Sequence, residues 1–293
     1  MTILSRESVR EQNSAYGSTR SALRAHPGGQ CFPPCMFEDR MNSRLFALIA
    51  LAGASAAPKV TRYRVDQTVD QAVDATAIGG AQQRQRFAVS TFVTVTLTDT
   101  AGGKVVNAVI DSMVSDSAPV PKAVLDSVRG LPVHGVLDPA GHISGVKPLR
   151  ETSLAPQMTD IVARLYPGLR QKLKQGDGWT DTIQVSTPTN GGTMNLRRIT
   201  TYKASAKERR GSTDALKVDA SFNSTVNGTQ QTANGPATIE GTGSGSGEHY
   251  VASDGRYLGG SMTVTTKLTL SGAFAPKPMP VTLIETFAVS ELP

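Results

Sequence analysis

The chain has 293 residues, of which 39% are hydrophobic and only 18% charged, so it can build a sizeable core. A formal net charge of +6 is modest for this length, and aromatic residues make up 5%. Nucleic-acid binders concentrate basic charge on one face and interleave rings for stacking, so that class is not expected.

Residues 1–40 are polar, lack an apolar period and read as a disordered or non-native extension. They hold both cysteines, Cys31 and Cys35 in CFPPC, a spacing that fits neither a redox C-x-x-C nor a zinc knuckle. From Met41 the sequence runs MNSRLFALIALAGASAAP. Arg44 supplies a positive amino end, Leu45 to Ala52 an apolar run, and Ala54-Ser55-Ala56 a small-residue cleavage site. A signal peptide over 41–56 is therefore expected, with Ala57 as the first mature residue and a periplasmic or secreted destination. The run is far shorter than the ~20 residues that span a bilayer, so no integral membrane span is expected in the mature chain. No cysteine follows the small residues to carry a lipid anchor.

Six arginines and four acidic residues precede Ala57, which leaves 24 basic and 20 acidic side chains in a mature chain without cysteine. Disulfides, thiol catalysis and thiolate metal sites are excluded together. In FAVSTFVTVTLT, Phe87, Val89, Val93, Val95 and Leu97 share one face of a strand, while Ser90, Thr94, Thr96 and Thr98 share the other. Side chains branched at Cβ favour the extended chain. DTAGGKVVNAVID then reads as strand, tip and strand. APVPKAVLDSVRG interrupts with a short helix: Pro121 at its start, Val124, Leu125 and Val128 on one side, and Gly130 as its stop. VLDPAGHISG (136–145) reads as a hairpin.

SLAPQMTDIVARLYPG is the stronger helix, with Pro156 in the first turn, Met158, Ile161, Val162 and Leu165 at helical spacing, and Pro167 beyond its end. GDGWT follows, a turn leading to Trp179, the only tryptophan. A lone Trp entering a strand serves as a core plug or as an apolar ligand wall. ERRGSTDALKVD is again strand, tip and strand, and LKVDASFNSTV sets Leu216, Val218, Ala220, Phe222 and Val226 on one face. GTGSGSG resembles a linker in composition, yet Gly241, Gly243, Gly245 and Gly247 fall on one face of a strand, where bare backbone permits close approach of a ring or helix. YVASDGRYLG (250–259) aligns with the 136–145 hairpin at an offset of 114, and MTVTTKLTL is a final clear alternation.

These patterns predict a mainly β fold: a curved antiparallel sheet or partly open barrel over 57–293, with one central helix. Two pseudo-repeated halves are expected at 57–150 and 177–293, with a helical connector at 151–176.

Chemistry is sparse. The mature histidines, His134, His142 and His249, form no H-E-x-x-H, and no serine lies in G-x-S-x-G. His134 and His142 flank a turn containing Asp138, where a surface metal site is conceivable, but solvated hairpin ends carry the greater weight. Asp111 and Asp219 are the carboxylates that the repeat would superpose, and exposed salt bridging is their expected role. No catalytic residue, metal or cofactor is nominated, and the chain leans away from being an enzyme.

The signal segment, the opening YRVDQTVDQ, the G-D-x-W turn after LYPGL and the D-G hairpins resemble uncharacterised secreted β-rich proteins of Gram-negative bacteria. The resemblance implies an exported domain and supplies no catalytic residues. In outline alone, a curved sheet with a helix in its mouth is similar to periplasmic carriers of lipoproteins.

The function expected is a non-enzymatic envelope or ligand-binding role, holding an apolar small molecule or lipid between sheet and helix, with Trp179, Leu165, Ile161 and Phe222 as contacts. Two rivals stand beside it. One is a hydrolase with a carboxylate or histidine site assembled from distant strands. The other is an outer-membrane β-barrel, against which stand the charged strand VTRYRVDQ, a terminus FAVSELP without a final aromatic, and the absence of aromatic girdles. Ligand identity and oligomeric state carry no signal.

Overall fold

Val, Leu and Phe alternate with Thr and Ser through almost every segment after Lys59, and in the computed structural model these segments form eleven strands. The structure describes residues 58–293 other than 77–78, 116–119, 171, 190, 233–234 and 273–274. All of them fall within one unit, 53–293. The proposed extension, signal peptide and Ala57 start lie outside the described residues.

The strands are β1 (Lys59–Asp74), β2 (Gln82–Thr100), β3 (Gly103–Ser115), β4 (Leu131–Leu137), β5 (Ile143–Pro148), β6 (Gly178–Thr189), β7 (Gly192–Arg210), β8 (Thr213–Thr232), β9 (Gly235–Ala252), β10 (Tyr257–Gly272) and β11 (Ala275–Leu292). They form one sheet in the order β5-β4-β3-β2-β1-β11-β10-β9-β8-β7-β6. Every neighbouring pair is antiparallel, and the first strand pairs with the last. The sheet is not closed into a barrel, and β5 and β6 are its edges.

Its curvature follows from one contact. Flattened, ten strand spacings of ~4.8 Å would hold β5 and β6 roughly 48 Å apart. Yet His142, in the β4–β5 turn, places Nε2 3.2 Å from Asp181 Oδ2 on β6. The sheet therefore rolls until its two edges meet side chain to side chain at one end, without pairing their backbones.

Two helices lie between strands, α1 (Lys122–Asp126) and α2 (Ala155–Arg164). The first is shorter than the expected run to Gly130. Val128 lies beyond its end but is still fully buried, and the Gly130 N–H donates to Ile110 O on β3. The second begins with Pro156 in its first turn, as the sequence predicts, and buries Ala155, Met158, Ile161 and Val162. It packs on β5 and β4, while Arg164 in its last turn reaches across to Glu285 on β11 at 2.5 Å and stands over the Phe287 ring.

The main core joins α2 to β1, β2, β3, β4 and β11 through Val65, Val93, Val95, Val106, Ile110, Leu131, Val133 and Phe287. A second, smaller cluster gathers Trp179, Tyr202, Ala204, Val218 and Ala220 on β6, β7 and β8, capped by Leu169 and Leu173 from the segment after α2. Each fully buried Val, Leu or Ile contributes roughly 1.5–3 kcal/mol, which fixes the register of every strand that carries one.

The turns at 138–142 and 252–256 carry the same hydrogen bonds at the offset of 114. Asp138 N donates to His142 O and Gly141 N to Asp138 O, and equally Ala252 N to Arg256 O and Gly255 N to Ala252 O. Gly141 and Gly255 have φ of +90° and +82°, a conformation that costs an L side chain roughly 1–2 kcal/mol.

Candidate functional site

The inward positions of β6 to β11 fall into rows across the strands. Starting at the small core, the first row is Trp179, Tyr202, Ala220, Gly247, Met262 and Phe287. The next is Asp181, Thr200, Phe222, Gly245, Val264 and Glu285, followed by Ile183, Arg198, Ser224, Gly243, Thr266 and Leu283. Beyond these come Val185, Leu196, Val226, Gly241, Leu268 and Val281, then Thr187, Met194, Gly228, Ile239, Leu270 and Met279. The outer rows belong to neither core cluster. Leu196, Val226, Leu268, Leu270, Met279 and Leu283 are only half-buried, while Ile239 and Val281 are buried. An apolar trough thus continues past the packed cores along the inside of the rolled sheet.

The glycine column gives the trough its depth. GTGSGSG lies inside β9, so it is a strand and not a linker. The Phe222 ring occupies the space above Gly245, and Leu268 and Met262 lean over Gly241 and Gly247. Any Cβ on this column would meet those side chains or the neighbouring backbone.

The four expected contacts occupy different places. Ile161 and Leu165 are 3% and 1% exposed within the main core, packed between helix and sheet. Trp179 lies in the small core, stacked on Tyr202 at 4.9 Å and 15°, with the Arg170 guanidinium carbon 5.6 Å from the centre of the Trp179 ring. Phe222 alone lies on the trough wall, in neither cluster. Sequence reasoning missed Arg198. It stands on the apolar parity of β7 with Leu196, Thr200 and Tyr202, and a cation at such a position was the available signal.

Titratable groups are mostly committed elsewhere. His142 lies between Asp181 and Asp138, its Nδ1 3.5 Å from Asp138 Oδ2, and this half-exposed trio ties the sheet edges together. His134 Nδ1 is 3.0 Å from Asn107 Oδ1. His249 is buried, with Nδ1 3.2 Å from the Tyr257 hydroxyl, and burial pushes its pKa down to about 4. Asp111 accepts from Thr94 and lies 3.9 Å from Arg62, whereas Asp219 lies 3.5 Å from Lys217. Six strand spacings separate β3 from β8 in the sheet, so the pair meets in no common cleft along it. Among the described residues no cluster of three or more His, Cys, Asp or Glu has the arrangement to hold a metal ion.

A second concavity of about 990 Å³ opens at the other end of the roll, between residues 172–175 and the hairpin tips at 207–216 and 251–255. Leu173, Leu216, Val251 and Ala252 form its apolar part, with Lys172, Lys174, Lys207 and Arg209 among its polar lining.

The outward positions of β8 and β9 are polar. On β8 they are Lys217, Asp219, Ser221, Asn223, Thr225 and Asn227, and on β9 Thr238, Glu240, Thr242, Ser244, Ser246 and Glu248. A lipid-facing barrel wall requires the opposite polarity. Among the described residues no helix is long and apolar enough to cross a membrane.

No protein-family model matches the chain, and no curated protein matches it. Among solved structures it is similar to two mutant forms of Rh. blastica porin, at 10% identity, covering 80% of this chain and 100% of each porin chain, with TM-scores of 0.23 and 0.22.

Proposed function

We propose that this protein is a non-enzymatic binding domain that works outside the cytoplasm and holds a lipid-like apolar molecule in the trough between β7 and β11. The observation that carries the reading is the apolar lining beyond both cores. Leu196, Val226, Leu268 and Leu270 face inward, yet no helix of the described chain packs them into a core. Apolar surface left uncovered in this way costs about 25 cal/mol per Å², and a hydrocarbon chain laid along it recovers that free energy. The side chains of α2, by contrast, are spent on the main core, so the ligand lies beside the helix and not beneath it.

The sequence of residues 41–56 supports an exported location, with Ala57 as the mature start. The hydrolase reading is the weaker one. The converging trio of His142, Asp138 and Asp181 acts as a clasp at the seam, and each member is bound to another of the three.

Native mass spectrometry of the protein isolated from its own host tests the binding role. The expected spectrum contains the chain plus a lipid-sized mass that organic extraction removes. A spectrum of the bare chain alone, before any extraction, would contradict it. N-terminal sequencing of the same sample is expected to begin at Ala57, and a retained 1–40 segment would refute the export assignment.

A further inference from the structure

We infer that the trough's ligand is an acidic amphiphile, a carboxylate or phosphate monoester on a single hydrocarbon chain, and that Arg198 anchors its head group. This rests on the trough being the binding site. Arg198 is the inward residue of β7 opposite Ile183 on β6 and Ser224 on β8. Its guanidinium carbon lies 5.7 Å from the centre of the Phe222 ring, and its Nε is buried without a hydrogen-bond partner. Among the described residues it makes no ion pair. The carboxylates on the same face are already engaged: Asp181 by His142, and Glu285 by Arg164 and Gln67.

A half-buried cation without an anion leaves its buried Nε unsatisfied, and a planar guanidinium presents paired donors that match a carboxylate or phosphate. The row around it is built for a polar head. Ser224 Oγ and Thr266 Oγ1 both border the bare backbone of Gly243, where an added Cβ would lie 3.2 Å from Thr266 Oγ1 and closer still to Ser224 Oγ. One cation and two hydroxyls thus share one row of the inner face. Toward the open end the next inward residues are Leu196, Val226, Leu268 and Val281. Two further rows extend the trough by roughly 13–14 Å, at two residues of strand per row. Charge at one level and hydrocarbon beyond it describe an amphiphile lying along the strands.

The test is displacement of a neutral apolar fluorophore, N-phenyl-1-naphthylamine, from the full chain by dodecanoate, dodecyl phosphate and dodecanol. Wild-type protein is expected to bind at least one of the two acids about tenfold or more tightly than the alcohol, the discrimination of a charge-assisted contact. In Arg198→Met the acid and alcohol affinities converge, dodecanol is held within about threefold of wild type, and Arg198→Lys recovers part of the preference. The wild-type comparison stands even if a variant fails to fold. Equal binding of acids and alcohol would overturn the anchor and leave the trough intact. Failure of the fluorophore and all three competitors to bind would overturn the trough itself, as would fluorophore binding that falls when rising protein concentration buries the face between two copies.

Discussion

Arg198 and His249 are both interior bases, but their surroundings set them opposite tasks. A guanidinium stays charged and must find an anion or a ring face, which Phe222 supplies in part. An imidazole can shed its proton, and His249, buried with an unpartnered Nε2, is held neutral with its pKa lowered from 6.5 to about 4. The native state therefore binds this proton less readily than the unfolded chain. Its contribution to stability is complete above pH 6.5 and is lost as pH falls toward 4, by roughly 3 kcal/mol in all. Urea midpoints measured across that range should fall in wild type and fall less in His249→Gln. Parallel curves for the two proteins would remove His249 as the cause. Phe222 makes a separate prediction. Its ring fills the space over Gly245, so Gly245→Val should cost about 1–3 kcal/mol in thermal or urea unfolding by overpacking, and Phe222→Ala about 3–5 kcal/mol through the cavity it leaves. A neutral Gly245→Val would mean that the ring does not lie against this strand.

Among the elements, α2 joins the helical sequence period to the curvature of the sheet. Met158 is fully buried where the helix meets the main core, so Met158→Ala should lower stability by about 2–5 kcal/mol in chemical denaturation, while exposed Gln157→Ala should leave it within about 0.5 kcal/mol. Strands and this helix were legible in the sequence because their signal is local. Alternation in FAVSTFVTVTLT, helical spacing from Met158 to Leu165, and glycine on one parity of GTGSGSG each need only a few neighbouring residues. Val128 is apolar and in phase with Val124, which extends the helical pattern, yet it is buried in the main core beyond the end of the helix. The rows across the sheet were not legible. They depend on cross-strand register between segments tens of residues apart, so the sequence could mark Phe222 as inward but could not set it beside Gly245. For the same reason Ile161 and Leu165 read as ligand contacts when they are the seal between α2 and the sheet. Arg198 on an apolar parity was visible, but its isolation became apparent only when Asp181 and Glu285 were seen to have partners of their own.

At the scale of the whole chain, the rolled sheet separates an apolar inside from a polar outside and leaves one seam, between β5 and β6, which His142 and Asp181 tie at one end. A wall of Lys, Asp, Asn, Thr and Ser has no favourable place in hydrocarbon, so carbonate washing of cell envelopes should release the protein. Retention in the membrane fraction would restore the barrel reading. The packed cores occupy one part of the roll and the trough continues beyond them, so the stability of the fold does not depend on filling the trough. The central claim is that the inner face of β7 to β11 receives a hydrocarbon chain, and methyl-resolved NMR during titration with dodecanoate measures this most directly. The account predicts saturable shifts at Leu196, Val226, Leu268 and Val281, with the core methyls of Ile161 and Leu165 and the outward Ile284 nearly unmoved. Shifts centred on Ile161 and Leu165, or on none of the trough methyls, would contradict it.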